Sequence, residues 1–192
     1  SRHWLLSLFG IKVIVSVLLT AIYTNYYTDR ELADIYKYFD DSKFIFDALK
    51  DKPLDYLQLI LGLDFNTEYF QATYYVKMQH WTRPFGNDLV SDSHIIIRMN
   101  AFFRLFSFGE IMVHNVFINF ISFLGLFMLY KHFKHFAVSK EKLLFLAIAL
   151  VPSVLFWGSG LLKEGLILFA LGLLLLHFNR LFNGFKLSSL LW

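Results

Sequence analysis

The chain contains no cysteine in 192 residues. Disulfides, thiol nucleophiles and thiolate metal sites are therefore excluded. Formal charge is also missing over long stretches: residues 111–130 carry none, and residues 143–178 carry only Lys163 and Glu164. A secretory leader with a small-residue cleavage site is not evident. The first apolar run carries Lys12 and continues to Tyr27, which reads as an anchor instead.

What is present is apolar. Hydrophobic residues make up 57% of the chain, above the ~45–50% usual for soluble domains, and the mean hydropathy is +0.52. Aromatic residues reach 19%, with 23 Phe and 10 Tyr. Phe is tolerated by lipid, and Tyr and Trp favour the headgroup zone. The net charge of +3 does not indicate nucleic-acid binding, because the basic residues sit where membrane topology places them. The expectation is an all-α integral membrane protein of about four transmembrane helices, with the lipid bilayer as its first partner and a large extracytoplasmic loop of amphipathic juxtamembrane helices.

The spans follow from length and charge. The first covers 4–26, with Lys12 expected to snorkel to the near interface and Tyr23, Tyr26 and Tyr27 forming an aromatic belt at the far end. The second covers 111–130, long enough to cross a hydrocarbon core of ~30 Å. Its His114, Asn115 and Asn119 should face other helices. Residues 143–178 as one helix would extend ~54 Å, so the chain must turn back at or just after Gly158, Ser159 and Gly160. This gives spans 143–158 and 161–178, with Pro152 kinking the incoming one. The chain begins at Ser1 and ends at Trp192 in a new apolar run, which suggests a single membrane domain, 1–192, from a longer protein.

Basic residues fix the orientation. Arg2, His3 and Lys12 flank the first span on its near side, Lys131 to Lys142 join the second and third, and Arg180 and Lys186 follow the fourth. The positive-inside rule assigns all three groups to the cytoplasm. Residues 27–110 then lie outside, in keeping with thirteen acidic against nine basic residues there. The expected location is a bacterial inner membrane.

Within that loop, Leu32, Ile35, Phe39, Phe46 and Leu49 recur at helical spacing. They predict a helix over 31–50 lying on the bilayer face. Glu31, Asp34, Tyr38 and Asp41 form a second, polar stripe, flanked by Asp40. Carboxylates so close can hold a divalent cation or poise one of their number as a general base. The same stripe also reads as a solvated face with Lys37 and Lys43 in salt bridges. A second surface helix is expected from His94 to Phe108, with Arg98 placed to grip a lipid phosphate in a bidentate fork or to snorkel. Lys163 and Glu164, at the outer end of a span, could neutralise a phosphate and pair with it or with a metal, or anchor the interface. Ser159 is preceded by Trp157 and Gly158, the wrong register for the Gly-x-Ser-Gly nucleophile of intramembrane proteases. His80, Trp81 and Arg83 precede Pro84, Phe85 and Gly86 in a polar-aromatic loop.

In layout the chain resembles the GT-C superfamily of polytopic glycosyltransferases. The resemblance rests on a first span, a long external loop opening with acidic residues on juxtamembrane helices, a second span, and tightly connected later spans. The stretches 33–41, 97–101 and 152–164 also look like those of bacterial membrane proteins near that superfamily. The resemblance implies a polyprenyl-phosphate-sugar donor and an acidic catalytic residue in the first external loop, for which Asp34, Asp41, Asp40 and Glu31 are the candidates. It also implies donor-phosphate binding by Lys163, Arg98 and Glu164. A divalent cation (Mg or Mn) is optional, with Asp29 and Glu31 its ligands if there is one. Asp29 with Glu31 and Asp40 with Asp41 compete for the motif's place. The alternative is a non-enzymatic polytopic protein: polysaccharide polymerase or flippase-like, a transporter, or a structural subunit among other membrane subunits.

Overall fold

The computed structural model describes residues 3–63, 66–82 and 92–182. All regular structure among them is helical. In chain order the α-helices are α1 (His3–Tyr26), α2 (Asp34–Asp51), α3 (Pro53–Leu61), α4 (Glu68–Thr73), α5 (Asp92–Ser107), α6 (Ile111–Phe133), α7 (Glu141–Ala149), α8 (Pro152–Trp157) and α9 (Lys163–Phe182). Short 3-10 turns occupy Arg30–Leu32, Tyr75–Lys77 and Lys134–Phe136. Two stretches, α1 and Ile111–Phe136, are long and apolar enough to cross a membrane, with mean hydropathies of 2.4 and 1.8. Only 28% and 39% of their most apolar windows are buried inside the protein. A core helix of a soluble protein is mostly covered, so these exposed apolar surfaces suit lipid.

The contacts divide the chain into two compact units, residues 20–117 and residues 1–19 with 118–192. The second is held by Leu8, Leu126, Leu129, Phe145 and Ala149. Phe145 takes edge-on contacts from Trp4 at 5.4 Å, Tyr130 at 5.4 Å and Phe123 at 5.8 Å. α6 and α9 meet backbone to backbone. A Cβ on Gly125 would fall on the Leu168 carbonyl, and one on Gly172 on the Gly125 carbonyl. Small residues permit such approach between membrane helices, where van der Waals packing replaces the hydrophobic drive.

The expected third span is not one rod. α7 ends at Ala149, Leu150 and Val151 break it, and α8 starts at Pro152. The proline ring has no N–H for the ladder and clashes with the preceding turn. The chain then reverses through residues 158–162, all buried though none is α-helical. Lys12 does not snorkel as expected. It is 1% exposed, and its Nζ donates to the Gly158 carbonyl at 2.9 Å and Ser159 Oγ at 3.1 Å. Asn119 Nδ2 donates to the Ser159 carbonyl at 2.9 Å. Buried irregular backbone needs such partners, and they outweigh the reach to an interface.

In the unit of residues 20–117, α2 packs on α5 and α3. Ile35, Phe39, Ile45 and Ala48 are buried there, while Phe46 and Leu49 are half-buried and Leu32, before the helix, is exposed. Ile35 and Phe39 thus face protein, which corrects for them the expectation that the stripe lies on the bilayer. The helix also starts later than the periodicity suggests. Asp29 Oδ1 accepts from Glu31 N–H at 3.0 Å, capping a 3-10 turn before α2 begins at Asp34.

Candidate active site in the segment between the two membrane-length helices

The acidic residues near the start of α2 do not form one solvated stripe. Asp29 is taken up as the cap. Asp40 receives a two-pronged contact from Arg30, Nε at 2.7 Å and Nη2 at 2.9 Å, and the Arg30 guanidinium lies 3.8 Å above the Tyr36 ring. Tyr36 in turn shares a short hydrogen bond with Thr24. Asp41 is buried, and so is Tyr38. Each Asp41 oxygen accepts a backbone N–H, from Gln79 at 3.0 Å and from His80 at 2.8 Å. Burial pushes the Asp41 carboxyl up from the usual range, the two N–H donors pull it down, and Asp40 nearby adds to the rise.

Of the carboxylates not taken up in these contacts, Glu31 and Asp34 are exposed. Asp34 sits in the first turn of α2, where the helix dipole favours a negative charge. Lys37 Nζ reaches it at 3.2 Å. His80, fixed by Asp41 through its own backbone, lies within electrostatic range of Asp34, Glu31 and Lys37. Burial and then Lys37 push the imidazole below its ordinary value, while Asp34 and Glu31 oppose them. Its Nδ1 is buried without a hydrogen-bond partner. Among the described residues, no group of three or more His, Asp or Glu is arranged to hold a metal ion.

Arg98 is directed inward. Its Nε donates to the Leu59 carbonyl at 2.8 Å. Its guanidinium sits 5.2 Å from the Trp81 ring, beside a column in which Trp81 stacks on Tyr75 at 4.7 Å and on His94 at 4.0 Å. Gly62, left-handed at φ 69°, lies so close that an added Cβ would press on the guanidinium at 3.2 Å. Burial lowers Arg98 from its ordinary value. Arg104, which the sequence left without a role, is buried between helices, with Nε to Ser42 Oγ at 2.8 Å and Nη2 to the Phe39 carbonyl at 2.6 Å.

Lys163 and Glu164 open α9, in the other unit. Glu164 is exposed and lines a cavity of about 410 Å³ with Ser153, Val154, Trp157 and Ile167. Ser159 is fully buried, and its Oγ donates to the Leu155 carbonyl. A nucleophile in that position would not meet a substrate. His114, Asn115 and Asn119 are buried. The His114 ring bridges Asn100 and Ser107, at 2.7 Å each. Asn100 also donates to the Ile96 carbonyl, so its Oδ1 faces His114 and the proton sits on Nδ1.

Comparison with family models, curated proteins and solved structures gives no match.

The arrangement in residues 20–117 thus has two layers. Asp41 and Asp40 hold the local structure, and the Asp34 and Glu31 carboxylates stand outside those contacts. Arg83 and residues 84–86 of the polar-aromatic loop lie outside the described residues. His80 carried no periodicity or motif that could have singled it out.

Proposed function

We propose that the chain belongs to a multi-pass glycosyltransferase of the bacterial inner membrane, with α1, α6, the broken α7 and α8, and α9 as spans. Asp34 removes the proton of an acceptor hydroxyl. The acceptor oxygen attacks C1 of a polyprenyl-phosphate sugar, the bond from C1 to the phosphate oxygen breaks, and polyprenyl phosphate leaves. His80 passes that proton on to water. The observation that carries this reading is the division of labour among five crowded carboxylates: Asp29, Asp40 and Asp41 are engaged in holding structure, while Asp34 stays exposed within range of a neutral imidazole. A merely solvated face has no need of that histidine. Lys163 and Glu164 are assigned to the donor phosphate on the strength of the resemblance.

The test is transfer from radiolabelled polyprenyl-phosphate hexoses by the protein reconstituted in vesicles. Asp34→Asn should lower the rate by about 10²–10⁴, as expected for a lost general base, with an unchanged melting temperature. Lys43→Gln, on the exposed side of α2, should leave it unaltered. Full activity of Asp34→Asn would overturn the assignment.

A second reading has its own support. The buried, unwound residues 158–162, held by Lys12 near the middle of α1, resemble the broken helices that line transporter pathways. On that reading Lys12→Met abolishes flux into proteoliposomes and Asp34→Asn does not.

A further inference from the structure

We infer that the unit of residues 20–117 rests on the bilayer surface through the paired outer faces of α3 and α5, with α2 stacked on their opposite side. Leu54, Leu57 and Leu61 lie on one side of α3. Ile95, Phe102 and Phe106 fall at i, i+7 and i+11 on one side of α5. All six are between 45% and 67% exposed. The inward sides of the same helices carry the buried Tyr56 and Leu59 on α3 and Ile96, Asn100 and Phe103 on α5. α3 and α5 touch each other and both touch α2, and Arg98 fastens α5 to the Leu59 carbonyl.

Six large apolar side chains on two adjoining helices exceed the scattered exposure that a water-facing surface shows. From Ile95 to Phe106 no carboxylate or ammonium interrupts the α5 face, and Arg98 on it is turned toward α3. The occupant follows from continuity along the chain. α5 ends at Ser107 and the membrane-length α6 starts at Ile111. Four peptide steps span at most about 14 Å, so the end of α5 lies at the headgroup level of the bilayer that α6 enters. The connecting Phe108 is 97% exposed, in a left-handed turn at φ 53°, as suits an aromatic side chain given to lipid.

The absence of native cysteine makes the test direct. Single cysteines replace Leu57, Phe102 and, on the exposed side of α2, Lys43. Each carries a nitroxide, and the protein is reconstituted into phosphatidylcholine–phosphatidylglycerol vesicles. Power saturation then compares access by oxygen with access by a water-soluble nickel chelate. Oxygen should dominate at 57 and 102, at a depth of about 5–10 Å below the headgroups, and nickel at 43. Nickel dominating at 57 and 102 would overturn the inference. So would exclusion of both reagents there, which would mean that a second protein surface covers the face. Labels at Leu61 and Phe106 replace any variant whose melting temperature falls. The inference is independent of sugar transfer: Asp34→Asn should leave all three depths unchanged.

Discussion

Asp41 and Asp34 are seven residues apart, on what the sequence reads as one polar stripe, yet their surroundings give them opposite duties. Asp41 holds two backbone N–H groups that have no other acceptor among the hydrogen bonds around it. Removing a buried acceptor costs about 1–3 kcal/mol for each group left unpaired. Asp41→Ala should therefore lower the melting temperature clearly and release the backbone at Gln79 and His80, visible as faster amide exchange there. Asp41→Asn keeps one acceptor and should cost less. His80 makes a separate prediction. Its folded value lies below the ordinary one, so the unfolded chain binds the proton more readily. Its contribution is intact above the unfolded value of about 6.5 and is lost as the pH falls from there toward the folded value. Melting curves on the acid side of neutrality should be shallower in pH for His80→Gln than for the unaltered protein. The sequence showed a cluster of carboxylates here and could not sort them. The sorting depends on whether a neighbour such as Gln79, 38 residues along the chain, arrives to bury one of them.

Helix positions were far more legible than helix faces. The apolar stripe of α2 was visible, but what covers it was not, because one periodicity fits lipid and a protein neighbour equally. The unbroken apolar composition of residues 143–178 showed that the chain must fold back, and the turn falls at Gly158 as expected. The breaks at Leu150 and Val151 needed the proline's local geometry as well. The glycines of α6 and α9 are a test at this scale. Gly125→Leu or Gly172→Leu would drive a side chain into the facing backbone. Overpacking in cores typically costs 1–3 kcal/mol, and about 3 kcal/mol or more is expected where backbone is struck. Gly10, with nothing within 4 Å of its Cβ position, should accept Leu with no loss, since helix propensity alone gains about 0.8 kcal/mol. Thermal stability in detergent measures both.

For the whole molecule, the charge pattern makes a prediction independent of every side-chain contact. Residues 27–110 should lie outside the cell and the basic connector 131–142 inside. Single cysteines at Lys43 and Lys140, both exposed, should react with an impermeant maleimide in intact cells only at position 43; the reverse labelling would overturn the topology. Composition settled the helical class and the apolar character at once, because those properties are sums over many residues. The pairing of Lys12 with Gly158 is a single long-range event with no local signature. Lysine in the first apolar run and the glycine-serine-glycine turn were each conspicuous, and nothing in the sequence joined them.

That pairing has a consequence in time. Lys12 and Gly158 are 146 residues apart, and ribosomes add about 5–20 residues each second. For roughly 7–30 s at that pace, a newly made α1 therefore carries an ammonium with no acceptor in place. A lysine near a span's centre weakens insertion by about 2.5–3.5 kcal/mol. Nascent chains arrested before residue 158 should leave α1 partly out of register with the bilayer. Release of the arrest should draw it home, so that the turn after α8 completes the anchoring of α1.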